Sequence, residues 1–271
     1  MLGKLMKYEF KATARIFLPL FGALLFMSIV SRLFSGLQTK TPQIISITLS
    51  SMLIAAAFAL TLALTIQRFY KNLMTDEGYL MHTLPVSTDK LIWSKLIVAA
   101  IWTVVCAVVV FLSITIMALS KGEFREFLRS LSEIGIPSLN QALFMLEFCL
   151  IVLAGIASGI LCIYACMALS MFFDKHRVAI SFAIFIGITT LLQILAAILI
   201  SLPIRGLLGD LIGYSYQTGE IARNSLYAYF QTHSMLALHM GAVLVLLVIA
   251  AFGAVFFAVT RTMLKKRLNL Q

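Results

Sequence analysis

Charge is scarce in this sequence. Asp, Glu, Lys and Arg make up 12% of its 271 residues, against about a quarter in an ordinary soluble domain. Acidic side chains are the rarest, 11 against 21 Lys and Arg. Hydrophobic residues reach 61% and the mean hydropathy is +1.02, so too little polar side chain remains to cover a water-exposed surface, and a soluble globular fold is excluded. Cysteine is also sparse. Cys106, Cys149, Cys162 and Cys166 all fall inside apolar stretches, and the last two are one helical turn apart rather than in a C-x-x-C pair, so they read as small packing residues and not as a metal or redox set. His82, His176, His233 and His239 are scattered. There is no H-E-x-x-H, no G-x-S-x-G and no phosphate loop of the form G-x-x-x-x-G-K-S/T, so no enzyme signature is visible and the chain has no evident means of binding nucleotide. Nor are basic runs interleaved with aromatics, which argues against a nucleic-acid partner despite a net charge of +10.

What the sequence does have is long apolar blocks, at 16–34, 44–66, 91–119, 142–173, 178–202 and 235–259. Each is about the length an α-helix needs to cross roughly 30 Å of hydrocarbon. The expectation is an all-α, polytopic membrane protein: one transmembrane domain over 1–271 with six spanning helices, an N-terminal interfacial helix over 1–15, a cytoplasmic connection over 67–90 and an extracellular loop over 203–234. Basic residues set the orientation. Lys4, Lys7, Lys11, Arg15, Arg68, Lys71, Lys90, Lys95, Lys175, Arg177, Arg261, Lys265, Lys266 and Arg267 lie on one side, two thirds of the 21. The positive-inside rule therefore places both termini in the cytoplasm of a cell (plasma) membrane protein. The first block is not read as a signal peptide, because Ser31-Arg32-Leu33-Phe34 offers no small-x-small cleavage site.

Several segments carry candidate function. Lys4, Lys7, Lys11 and Arg15 recur at steps of three and four, giving a cationic stripe suited to an anionic inner leaflet; a plain topology anchor is the alternative. Phe124, Phe127, Leu128, Leu131 and Ile134 have helical spacing opposite charged residues, as in an external amphipathic helix. Tyr214, Tyr216, Tyr227 and Tyr229 in the fifth connection suit the outer interface or an ordinary loop. Glu147 is an acid within an apolar block, where a charge costs on the order of 3 kcal/mol on insertion scales. It should therefore lie near the surface, be paired or be protonated, or else serve a substrate path or a proton relay; Gln193 is a further candidate for such a path, with a helix-packing hydrogen bond as its alternative. Gly155 and Gly159 form a GxxxG pair for close helix approach, within the subunit or across a dimer.

The most informative stretch is 69–102, FYKNLMTDEGYLMHTLPVSTDKLIWSKLIVAAIW. Asp76 and Glu77 precede Gly78, Leu84-Pro85 imposes an extended turn, and Ser87-Thr88-Asp89 offers a cap for a helix beginning near Lys90. Tyr79, Leu80, Met81 and Leu84 leave apolar surface for docking, or for packing back on the bundle. A basic N-terminal helix, six spans and DEGYLMHTLPVSTDKLIWSKL between the second and third together resemble the permease subunit of bacterial type-two ATP-binding-cassette (ABC) exporters, especially small Gram-positive ones. The sequence-specific likeness is confined to about 68–102. It implies a coupling helix seated on a separate ABC ATPase, formed here by Asp76, Glu77, Gly78, Tyr79, Leu80, Met81, His82, Leu84 and Pro85. It also implies a second permease copy in a homodimer, contact with membrane lipid, and ATP and Mg on the partner rather than on this chain. The function expected by resemblance is ATP-driven export of amphipathic or hydrophobic cargo, with antimicrobial or cytolytic peptides favoured. A self-contained secondary transporter or channel and a non-transporting membrane sensor or scaffold are the rival readings.

Overall fold

A computed structural model describes residues 2–34, 40–74, 87–118, 126, 129, 139–173, 177–211 and 234–268. They form six long helices: α1 (Leu2–Phe34), α2 (Lys40–Met74), α3 (Thr88–Ala118), α4 (Leu139–Ser170), α5 (Arg177–Leu211) and α6 (Ser234–Leu268). Each contains a segment long and apolar enough to cross a membrane. In hydrocarbon every backbone N–H and C=O must be satisfied within the chain, which a helix does for all but its ends. The hydroxyls in these helices obey the same constraint. Ser28 donates to the Leu24 carbonyl, Ser50 to Ser46, Thr61 to Ala57, Thr103 to Ala99 and Thr260 to Phe256, each one turn back, so a polar side chain costs little inside an apolar helix.

The helices outrun the apolar blocks. α1 has 33 residues, about 50 Å at 1.5 Å each, and continues unbroken from the basic N-terminus through Pro19. The expected interfacial helix over 1–15 is thus not a separate element; it is the first half of the helix that forms the first span. α2 continues to Met74 and α3 starts at Thr88, which shortens the connection expected over 67–90 at both ends. α5 runs through Pro203 to Leu211, so the first part of the loop expected over 203–234 is helical. The start of α3 follows its capping chemistry: Lys90 and Leu91 donate backbone hydrogen bonds to the Ser87 carbonyl, and Asp89 in the first turn suits the positive end of the helix dipole.

Two clusters hold the bundle together. One gathers Phe69, Leu91, Ile92, Leu96, Ile160, Leu161, Tyr164 and Leu264 from α2, α3, α4 and α6, with the Phe69 and Tyr164 rings stacked at 4.0 Å. The other joins α1 to α2 and α3 through Phe17, Phe21, Leu24, Leu64 and Trp102, and Trp102 stacks on Phe17 at 4.6 Å. α4 and α6 form the most extensive helix pair, whereas α5 packs mainly on α4. Leu, Ile, Val and Phe side chains cover much of the outside, the surface of a protein whose solvent is lipid.

Candidate functional site

The chemistry concentrates where the start of α1, the end of α2 and the start of α3 meet, three helix ends that alternation of direction places on one membrane face. Helical periodicity puts Glu9 on the same side of α1 as Met6, Phe10, Thr13 and Phe17, facing the bundle. Its carboxylate accepts 2.6 Å from Arg68 Nη1 on one oxygen and 2.7 Å from Lys95 Nζ on the other. The Lys95 side chain is only 5% exposed and that of Glu9 12%, so this is a buried ion triad drawn from three helices. One turn deeper, Trp102 Nε1 donates to Thr13 Oγ1 at 2.7 Å, and Thr13 passes its own proton back to the Glu9 carbonyl at 2.8 Å. A void of about 30 Å³ beside the triad, bordered by Thr65 and Tyr164, has room for about one water. On the same face, Arg261 near the end of α6 lies 2.8 Å from Asp89 of α3.

Beyond Thr65 opens a much larger apolar cavity of about 500 Å³, walled by all helices except α1 and including Phe58, Thr61, Thr103, Phe185, Thr189, Phe252 and Phe256. The hydroxyls of Thr61, Thr65, Thr103 and Thr189 are bonded to carbonyls of their own helices, which leaves their methyl groups and the aromatic rings as the effective lining. Gly155 and Gly159 also line it, and a Cβ at either would meet nothing within 4 Å. Among the described residues, then, this GxxxG pair does not bring two helices of one subunit together; it widens the cavity. Close approach occurs instead at Gly253 of α6, where an added Cβ would lie 3.7 Å from Ser158 Cβ.

Of the residues singled out by sequence, Lys7, Lys11 and Arg15 are exposed on the outer side of α1, while the Lys4 side chain lies outside the described residues. So do Asp76, Glu77, Gly78, Tyr79, Leu80, Met81, His82, Leu84 and Pro85, the expected amphipathic helix apart from Glu126 and Arg129, and the tyrosines of the fifth connection. Glu147 pairs with His239 of α6 at 2.8 Å, two to three turns into α4, which is the pairing expected of an acid in an apolar block. Neither Glu147 nor the exposed Gln193 borders the cavity, and they do not come together. Sequence reasoning missed Glu9. The signal was there: a single acid on the apolar face of a helix whose other face is basic, and Lys95 four residues inside an apolar block, each demanding a partner.

No family model, curated protein or solved structure matches the chain. Its class follows from its helices: six apolar segments make it a multi-pass membrane protein.

Proposed function

We propose that this chain is the permease subunit of an ATP-driven exporter, working with a separate ABC ATPase and a second permease copy to move amphipathic or hydrophobic cargo by alternating access. The observation that carries the reading is the Glu9–Arg68–Lys95 triad. Arg68 lies near the end of α2 and Lys95 near the start of α3, so Glu9 ties α1 to both helices that flank residues 75–87. Force applied to that connection would reach three spans as one body. With the basic ends cytoplasmic, 76–85 faces the compartment that holds ATP, and its sequence resembles a coupling helix. An apolar cavity with self-satisfied hydroxyls suits greasy cargo, peptides included, better than ions, which need polar lining.

The test uses the full chain purified from its native membrane. Preparations should contain a second polypeptide that hydrolyses ATP, and Tyr79→Ala with Leu84→Ala should release it or uncouple hydrolysis from export without loss of membrane insertion. Retention of the ATPase and of cargo-stimulated hydrolysis in that double variant would refute the assignment. The Glu147–His239 pair favours a second reading, a self-powered transporter linked to protons; flux through the purified chain in liposomes without ATP, lost in Glu147→Gln, would establish it instead.

A further inference from the structure

Beside the triad lies a second pocket of about 160 Å³, in which Leu5, Ala12 and Leu91 make the wall largely apolar and Tyr8, Glu9, Arg68, Ser94 and Lys95 supply the polar groups. Its charge does not balance: two cations share one carboxylate. Arg68 commits Nη1 to Glu9, yet its Nε is buried without a hydrogen-bond partner, and Lys95 has three donors, one of which goes to Glu9. A guanidinium N–H buried without an acceptor is unfavourable. An oxyanion seated here would supply the missing negative charge, and a small shift of the Arg68 side chain would bring the buried Nε–H within reach of it. The volume is several times that of one water, enough for a phosphate group. The pocket sits at the membrane face shared by the ends of α1, α2 and α3, where lipid phosphates are concentrated, and exposed Lys7 and Lys11 on a different side of α1 add positive potential around it.

We propose that this pocket binds the phosphate of an anionic lipid headgroup, with Arg68 as the principal donor, Lys95 as the balancing charge and the Tyr8 hydroxyl at the rim. The site is separate from the Lys7–Lys11–Arg15 stripe, which would attract a leaflet without selecting a single lipid. A bound lipid would complete the triad electrically and wedge between α1 and α3.

Native mass spectrometry of the detergent-purified full chain, titrated with phosphatidylglycerol or phosphatidylcholine, reads the site directly. The wild type should retain phosphatidylglycerol in preference to phosphatidylcholine. Arg68→Lys keeps the charge facing Glu9 but removes Nε, and should lower that preference about ten-fold, the equilibrium equivalent of one lost charge-assisted hydrogen bond. Ala12→Phe fills the pocket from an exposed position and leaves all three ions in place; it should give a comparable loss even if Arg68→Lys proves unstable. Lys7→Gln with Lys11→Gln should keep the preference. Equal retention of the two lipids by the wild type, or an undiminished preference in Ala12→Phe, would overturn the proposal. So would thermal stabilisation by inorganic phosphate alone that matches phosphatidylglycerol, since a free anion would then be the ligand.

Discussion

Replacing Glu9 with Gln should be among the most damaging single polar changes in the chain. The substitution is nearly isosteric, so packing around Phe10, Thr13 and Trp102 is kept and the effect is electrostatic. Lys95, with 5% of its side chain exposed, then stays buried facing a neutral amide in which one of the two accepting oxygens has become an NH2 donor. Removing one partner of a buried ion pair costs about 3–5 kcal/mol. Arg68 is 25% exposed and can recover some hydration, which places the expected loss at the lower end, about 3 kcal/mol. Reversible unfolding of the purified protein in mixed micelles would measure it, with Lys11→Gln on the exposed face as a control expected within about 0.5 kcal/mol of wild type. Adding Lys95→Met to Glu9→Gln removes the stranded charge and should restore more than half of the loss. A Glu9→Gln protein within about 1 kcal/mol of wild type, or a double variant no better than the single one, would refute the view that Glu9 and Lys95 are coupled through burial.

Further outcomes follow from the cavity, the helix pair and the charge distribution. Gly155→Leu projects into open space and replaces a poor helix former, so it should leave the fold intact, or more stable by up to about 1 kcal/mol, while reducing flux of apolar cargo in reconstituted vesicles. Gly253→Ala should be near neutral, because its Cβ meets Ser158 at ordinary contact distance, whereas Gly253→Leu should cost about 1–3 kcal/mol by overpacking the α4–α6 contact; thermal unfolding distinguishes them. In a background without the four native cysteines, Lys71→Cys should resist an impermeant thiol reagent in intact cells and Arg129→Cys should react. Reaction at position 71 from outside would invert the topology.

The helical class and the number of spans were legible in the sequence because hydropathy acts over some twenty residues at a time and needs no knowledge of partners. Helix ends were less so. Hydropathy falls where charge begins, but the backbone does not: α1 stays helical through Lys7 and Lys11 because its other face has Met6, Glu9, Phe10 and Thr13 to bury. The pairing of Glu147 follows from its cost in lipid, though nothing in the local sequence points to His239, 92 positions away. Arg68 and Lys95 read as topology signals because a count of positive charges treats each as solvated, and only contact with Glu9 shows them to be structural. Gly155 and Gly159 show the opposite limit, since small residues four apart permit close packing without requiring it.

The ion triad also imposes an order on biogenesis. Glu9 is made first, its partner Arg68 comes 59 residues later and Lys95 comes 86 later. A nascent chain with only α1 in the membrane holds an unpaired acid on the face that becomes buried, so settling α1 to its final depth before α2 arrives would carry the cost of desolvating or protonating that acid. An intermediate of α1 and α2 already carries neutral charge at this point. The later entry of Lys95 makes the site positive, which means that the third helix is drawn in against a pair whose charges are already matched, and a neighbouring lipid phosphate would ease that step.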